Sequence, residues 1–288
     1  MSTESNQHTG TIAVVGATGQ QGGATADALM EAGAAVRALV RDPGAPAAQR
    51  LAENGAQLVT ADLDRPESLV PAFEGAAVVF AMTTFSGPDG PAGEVQHGRA
   101  IGDAARAAGV PRIVYSSVGG AERHTGIPHF ESKRRVEEYL ETLGPRTTFL
   151  RPAFFMENFA SFFTPTTEDG TVVVRLPLPA DVPLQMVATR DIGRIAAAVL
   201  MDPDLIPGGA VEVAGDELTG EQVAATFADA TGHPGRYEPI SLEALAGNPD
   251  QQAMFSWFAR LPAYQADFTA SRELLPDLQN LRTWLATR

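Results

Sequence analysis

The sequence predicts an α/β fold: a doubly wound parallel sheet with a smaller α/β lobe formed by the C-terminal half. Three observations predict it. Apolar runs of strand length alternate with amphipathic stretches of helix length through about the first 150 residues, the spacing of repeated βαβ units. Gly33, Gly55, Gly75, Gly109 and Gly144 each follow a helical stretch, where a left-handed residue ends a helix at low steric cost. The first apolar run also leads directly into a glycine-rich turn. Such alternation needs right-handed crossovers, which cover a parallel sheet with helices on both faces.

In chain order, the candidate strands are TIAVV (11–15), AVRALV (35–40), QLV (57–59), AVVFAM (77–82), RIVYS (112–116) and TTFL (147–150). The helices between them cover 22–32, 47–54, 66–73, 94–108 and 131–143. Asp64 with Glu67 three residues later reads as a capping box, and Pro66 suits a first helical turn. After Leu150 the rhythm changes. Residues 154–183 are aromatic, then rich in Pro and Thr, with one strand at 171–175. A strand at 186–187 and a helix after Asp191 follow, then a strand at 210–214 and a helix after Thr219, a good N-cap. From Glu238 onward the pattern reads as helical. The expected organisation is a disordered tail over 1–10, a nucleotide-binding domain over 11–152, and a lobe over 153–288 from which 186–201 returns to the core.

Composition narrows the function. A formal charge of −14 and a pI near 4.7 oppose direct nucleic-acid binding, which relies on clustered Lys and Arg. Nowhere do eighteen apolar residues run together, and the start MSTESNQHTG is polar, so neither a membrane span nor a secretory signal is expected and the expected location is cytoplasmic. With no cysteine there is no disulfide and no thiolate nucleophile or ligand. Five scattered histidines give no metal-ligand spacing, and no metal is expected. Of the 21 basic residues, twenty are arginine, and the one lysine is Lys133.

The turn after the first strand reads Gly16-Ala17-Thr18-Gly19-Gln20-Gln21-Gly22, the spacing G-x-x-G-x-x-G opening a helix. Gly16 permits the tight turn, Gly19 lets backbone approach a pyrophosphate, and Gly22 lets helix and strand pack closely. Thr18, Gln20 and Gln21 belong to the same phosphate-binding turn, whose amides sit at a helix N-terminus. The domain is therefore a Rossmann-type doubly wound parallel sheet that binds a dinucleotide. At the end of the second strand an acidic residue would bind a ribose 2′-hydroxyl, whereas here Arg41 stands, suited to a 2′-phosphate. This favours NADP(H), unless Arg41 pairs with Asp42 on a solvated loop. Asp62, past the third strand, suits either an adenine amino group or a helix cap. Thr83, Thr84 and Phe85 follow the fourth strand at the edge where ligands of open sheets bind.

GATGQQGG (16–23), VRALVRDP (36–43), VYSSVGG (114–120), HFESKRRVEEYL (129–140) and LRPAFFMENF (150–159), with VATRDIGRIAAAVL (187–200), resemble the NmrA-like family, a branch of the atypical short-chain dehydrogenase/reductase superfamily. The resemblance implies a Rossmann domain beneath a small lobe, with NADP(H) in the cleft. It implies either of two activities, because the family includes reductases and cofactor-sensing regulators without turnover. Reductases of the superfamily use Tyr-x-x-x-Lys. Here Lys133 holds the lysine position, but His129 stands four residues before it, and Tyr115, Tyr139, Tyr237 and Tyr264 lie elsewhere. His-Phe-x-x-Lys is the pattern of the sensor-like members.

Lys133 precedes Val136 and Leu140 on one helical stripe, so its ammonium points inward, toward ribose hydroxyls, or snorkels from the helix edge. His129 is a proton donor in one reading and a helix-start residue after Pro128 in the other. Ser116 or Ser117, ending the fifth strand, orients a carbonyl or caps the strand; Ser117 joins His129 and Lys133 as a catalytic candidate. Pro152 and Phe154 complete the cofactor set, and the cluster Phe154, Phe155, Met156, Phe159, Phe162 and Phe163 either walls an apolar pocket or forms interdomain core. The expected function is an NADP(H)-binding, redox-responsive regulator with a protein partner. The alternative is an NADPH-dependent oxidoreductase of a small apolar carbonyl or quinone.

Overall fold

The computed structural model describes residues 10–288, so the tail expected over 1–10 lies, apart from Gly10, outside the described residues. The first half is built from β1 (Ile12–Val14), α1 (Gln20–Glu31), β2 (Val36–Val40), α2 (Pro46–Glu53), β3 (Gln57–Thr60), α3 (Leu69–Phe73), β4 (Val78–Met82), α4 (Gly90–Ala107), β5 (Arg112–Ser116), α5 (Pro128–Glu141) and β6 (Arg146–Pro152). After it come β7 (Phe154–Phe155), β8 (Thr166–Glu168), β9 (Thr171–Leu176), β10 (Leu184–Val187), α6 (Thr189–Met201), β11 (Ala210–Val213), β12 (Asp216–Leu218), α7 (Gly220–Thr231), β13 (Gly235–Pro239), α8 (Pro249–Phe258), α9 (Phe268–Leu274) and α10 (Leu281–Ala286).

Seven parallel strands form the main sheet in the order β11-β6-β5-β4-β1-β2-β3. The alternation of side chains along β1 shows why both faces are covered. Ile12 and Val14 enter one core with Leu29 of α1, Leu51 of α2 and Ile195 of α6. Ala13 enters the opposite core with Phe73 of α3, Ile101 of α4 and Val136 and Leu140 of α5. The chain reverses direction across the sheet between β1 and β4, and a crevice opens there at the strands' carboxyl ends. All five helix-ending glycines named above have positive φ, from +70° at Gly109 to +103° at Gly55.

Two three-stranded sheets, β12-β10-β7 and β13-β9-β8, carry the lobe over this edge. Its core is aromatic: Phe154, Phe159, Phe255 and Phe258 are buried together with Trp284. At the base of the lobe, Arg151 at the end of β6 is held to α5 by a bidentate pair with buried Glu137, at 2.9 and 2.7 Å. Glu157 accepts from the Thr189 N–H at the start of α6 and from the Trp284 indole.

Several expectations are corrected. The capping box at Asp64 is not formed: the short 3-10 turn Pro66–Ser68 has no side-chain cap, and the Asp64 carboxylate meets the His97 ring at 2.8 Å instead. Thr219 does cap α7, in a reciprocal box with Gln222. The strand at 210–214, placed with the lobe by a boundary after 152, is β11, the edge strand beside β6. Of residues 186–201, helix α6 returns to the core against α1, where Gly193 is obligatory because a Cβ would lie 2.4 Å from the Ala24 backbone. Met186 and Val187 stay in a lobe sheet. The helical reading from Glu238 is early by four residues, because β13 extends to Pro239 alongside β9 and the next helical segment is the 3-10 turn Leu242–Leu245.

Candidate functional site

The glycine turn closes by a bond from the Gly19 N–H to the Gly16 carbonyl, 2.9 Å, with Gly16 at φ +68°. A Cβ on Gly22 would lie 2.2 Å from the Gly16 oxygen and 2.9 Å from the Val15 oxygen, so helix and strand approach as closely as backbone allows. Gly19 is the N-cap of α1, no side chain caps it, and the first turn holds no acidic residue. Its N–H groups and the positive end of the helix dipole are left for an anion. Thr18, Gly19 and Gln20 are exposed beside it.

Arg41 stands just past β2, exposed and without a hydrogen-bond or ion-pair partner among the described residues. The Arg41–Asp42 pair is not formed, since Asp42 accepts the Gly44 N–H at 2.8 Å. Arg37, the other arginine of β2, is committed to Gln57 and the carbonyls of Ala72 and Glu74. Asp62 is spent locally: its carboxylate accepts the Asp64 N–H at 3.1 Å and lies 3.6 Å from Arg65.

A cavity of about 430 Å³ opens between the sheet edge and the lobe. It starts at Gln20 and Gln21, passes Thr83, Thr84 and Phe85 after β4 and Ser117 after β5, and meets His129 and Lys133 on α5. Pro152, Phe154, Phe155, Phe162 and Phe163 form its lobe side. The structure thus brings ten of the expected site residues to one cavity. Gly16, Thr18, Gly19, Gly22, Arg41 and Asp62 do not line it. Both readings of the aromatic cluster hold for different members, since Met156 and Phe159 are buried core while Phe155, Phe162 and Phe163 face the cavity.

Lys133 points inward, but its donors are occupied. The ammonium donates to the Thr83 carbonyl at 2.8 Å and the Ser116 carbonyl at 3.2 Å, and lies 3.1 Å from the carboxylate of Glu94, which is fully buried. A ribose contact would therefore compete with bonds that staple the ends of β4 and β5. A tetrahedral ammonium suits three converging acceptors better than a planar guanidinium, which explains lysine here. Burial lowers the Lys133 pKa, yet Glu94 and Tyr115 more than offset this and hold it above its ordinary value. Tyr115, bonded to the Thr83 hydroxyl at 2.8 Å, is pushed up to about 12 by burial.

Ser116 is not free, because its hydroxyl donates to the Gln21 side chain. Ser117 is buried, lines the cavity, and its hydroxyl has no hydrogen-bond partner among the described residues. His129 sits in the first turn of α5, its ring stacked on Phe85 at 4.5 Å and edge-on to Phe130 at 4.7 Å. Its Nδ1 lies 2.6 Å from Asp250 of α8. Sequence reasoning missed both acids of the site. Glu94 had a signal: it shares a stripe with Ile101 and Ala105 of α4, a charge on a buried face. Asp250, 121 residues from His129, had none.

An uncapped helix N-terminus, a close backbone turn and a free arginine past β2 fit a phosphorylated dinucleotide, and the orphaned Ser117 hydroxyl fits a polar group at its far end. Solved structures similar to this chain hold NADP in some cases and NAD in others. The sequence profile of the NmrA-like family matches residues 8–278. An NmrA-like family domain-containing oxidoreductase of Cladobotryum sp is 32% identical over 278 residues, covering 86% of this chain and 82% of that protein. An NAD(P)H azoreductase of Xenophilus azovorans is 33% identical over 233 residues, covering 81% and 78%. Among solved structures, the triphenylmethane reductase of Citrobacter sp. complexed with NADP(H) superposes with TM-score 0.79 at 25% identity, covering 96% of this chain and 99% of that one. NmrA, a negative transcriptional regulator in complex with NAD, gives 0.82 at 25% identity, covering 97% and 95%. With the profile spanning nearly the whole sequence and the fold shared end to end, the chain belongs to the NmrA-like family.

Proposed function

We propose that this protein is an NADPH-dependent reductase of small, planar, apolar acceptors, a quinone being the type. The observation that carries the reading is the lining of the cavity: beside Gln20 and Gln21 of the glycine loop, Ser117 and His129, it is walled by Phe85, Phe154, Phe155 and Phe163. A flat aromatic acceptor needs such walls for stacking, whereas recognition of a dinucleotide alone rests mainly on its phosphates and hydroxyls. Bound NADPH supplies the hydride. Arg41 selects the 2′-phosphate, the N-terminus of α1 holds the pyrophosphate, Ser117 donates to the carboxamide or acceptor oxygen, and His129 supplies the proton that the missing tyrosine would have given. Relatives named as an oxidoreductase and as an NAD(P)H azoreductase support the reaction class.

The second reading is a redox-responsive regulator that binds NADP(H) and a protein partner without turnover. What favours it is Lys133, the superfamily's ribose-binding residue, here sealed into Glu94 and two strand-end carbonyls. The test is NADPH consumption against quinones, carbonyls and azo compounds, beside titrations with NADP(H) and NAD(H). Turnover on a quinone supports the reductase. Micromolar or tighter NADP(H) binding with no turnover across the panel supports the regulator. In either case no helix among the described residues is long and apolar enough to cross a membrane.

A further inference from the structure

We infer that Asp250 is a positioning residue that fixes the tautomer of His129, so that the proton donor is assembled from two elements, α5 below the cleft and α8 in the lobe above it. The inference rests on the reductase reading for its catalytic consequence. The pairing itself is geometric. One Asp250 oxygen accepts the His129 backbone N–H at 3.0 Å, and the other lies 2.6 Å from Nδ1 of the same residue. A backbone N–H only donates, so the carboxylate sits squarely against the start of α5, and its second oxygen can only accept from the ring. Nδ1 therefore carries a proton, and Nε2 is the nitrogen left for the cavity. The two side chains are 13% and 16% exposed, and Phe85 and Phe130 hold the ring from two sides, so the geometry is fixed by packing as well as by charge. Asp250 is itself held in place at the second position of α8, a helix capped by Asn248 through the Gln251 N–H.

The remaining titratable groups lining the cavity do not compete for the ring: Lys133 and Glu94 are paired with each other, and Tyr264 is kept neutral by burial. When hydride reaches one end of a quinone, the electron pair it brings leaves an oxyanion at the other. The Nε2–H bond of the imidazolium breaks and its proton passes to that oxygen, giving the hydroquinone. The ring becomes neutral with its proton on Nδ1, still bonded to Asp250, and Nε2 recovers a proton from water at the cleft mouth. The carboxylate accepts from Nδ1–H before and after transfer, which keeps Nε2 as the nitrogen that gives and regains the proton.

Asp250→Asn tests this with almost no change of shape. The amide must turn its oxygen to the His129 N–H, which leaves its NH2 against Nδ1; the ring is then pinned as the Nε2–H tautomer, and an imidazolium would set two donors face to face. Nitrogen NMR of histidine-labelled protein should show the Nδ1–H form in wild type and the Nε2–H form in Asp250→Asn. Quinone kcat should fall by about 10²–10⁴-fold, the worth of a general acid, with KM and NADPH affinity nearly unchanged. Asp250→Glu, which keeps two acceptor oxygens, should recover part of the rate, and a thermal melt with an NADPH titration checks folding of both variants. An unchanged tautomer, or a kcat within about twofold of wild type in Asp250→Asn, overturns the inference. The expected tautomer switch in a protein that turns over no acceptor overturns the reductase reading alone and leaves the pairing standing.

Discussion

Lys133→Met should destabilise the protein by about 3–5 kcal/mol, the cost of removing one partner from a buried ion pair. The size follows from what is left behind. Glu94 has no exposed surface, its carboxylate lies 3.1 Å from the ammonium, and its other partners, the hydroxyls of Thr83 and Ser132, are neutral. The Thr83 and Ser116 carbonyls lose their donor in the same step, so the ends of β4 and β5 lose the bridge between them. At about 2–4 °C per kcal/mol for a chain of this size class, the midpoint should fall on the order of 10 °C. Urea unfolding of wild type, both single variants and the double variant Glu94→Gln/Lys133→Met closes a thermodynamic cycle. The double should be more stable than the lysine variant alone, because a neutral amide replaces the stranded charge. NADP(H) titration of the double separates the two roles of Lys133: restored stability with weak binding would show that the ammonium also reaches the cofactor. A Lys133→Met protein within about 1 kcal/mol of wild type, or strictly additive effects, would refute the account of a buried staple.

Arg41→Ala should erase the preference for NADP(H) over NAD(H), costing about 1.5–3 kcal/mol on NADP(H) alone, the worth of a hydrogen bond to a charged group; isothermal titration with both cofactors decides it, and an unchanged preference removes Arg41 from the site. Gly22→Ala drives a Cβ to 2.2 Å from the Gly16 oxygen, so it should displace the loop, lower the melting temperature and abolish binding of both cofactors, as differential scanning fluorimetry with and without NADPH would show. Stability should decline steeply in alkali. Burial pushes the Tyr115 pKa from 10 up to about 12, so above pH 10 the unfolded chain loses a proton that the native state keeps, and roughly 2 kcal/mol is lost by pH 12. Lys133, raised above 10.5, adds to the loss in the same direction, and Tyr115→Phe should flatten the curve.

The sheet was legible because each of its elements announces itself locally. An apolar strand, a helical stripe and a terminal glycine recur within some thirty residues, and every crossover uses the same sequence of signals. The glycine loop was legible for the same reason, and so was Lys133, whose position on the Val136–Leu140 stripe fixes its inward direction. What failed was local chemistry with a distant competitor. Asp64 followed by Glu67 makes a capping box on paper, yet His97 on α4 offers the carboxylate a partner 33 residues away. The strand at 210–214 looked like part of the lobe because parallel pairing with β6 leaves no trace in either strand's own pattern.

The two acids of the site show how far this limit reaches into function. Glu94 could be found in principle, because a charge on a buried stripe needs a cationic partner, and Lys133 is the basic residue that its own helical stripe turns inward. Asp250 could not: in the sequence it is an acid after Pro249 in a first helical turn, where an acid is expected for the helix dipole alone. Only the docking of α8 over α5 turns that ordinary carboxylate toward His129. The glycine loop is thus written in one contiguous motif, while the pairing of His129 with Asp250 is made by a contact across the lobe boundary. A substitution that shifts α8 without touching the sheet should therefore change the chemistry of His129 and leave dinucleotide affinity intact. Opening the packing of Phe255 and Phe258, both fully buried on the far side of α8, is the cleanest way to do so. Phe258→Leu should preserve NADPH binding while lowering turnover more than it lowers the melting temperature would explain, and equal loss of both would mean that the lobe and the loop answer to one cooperative core.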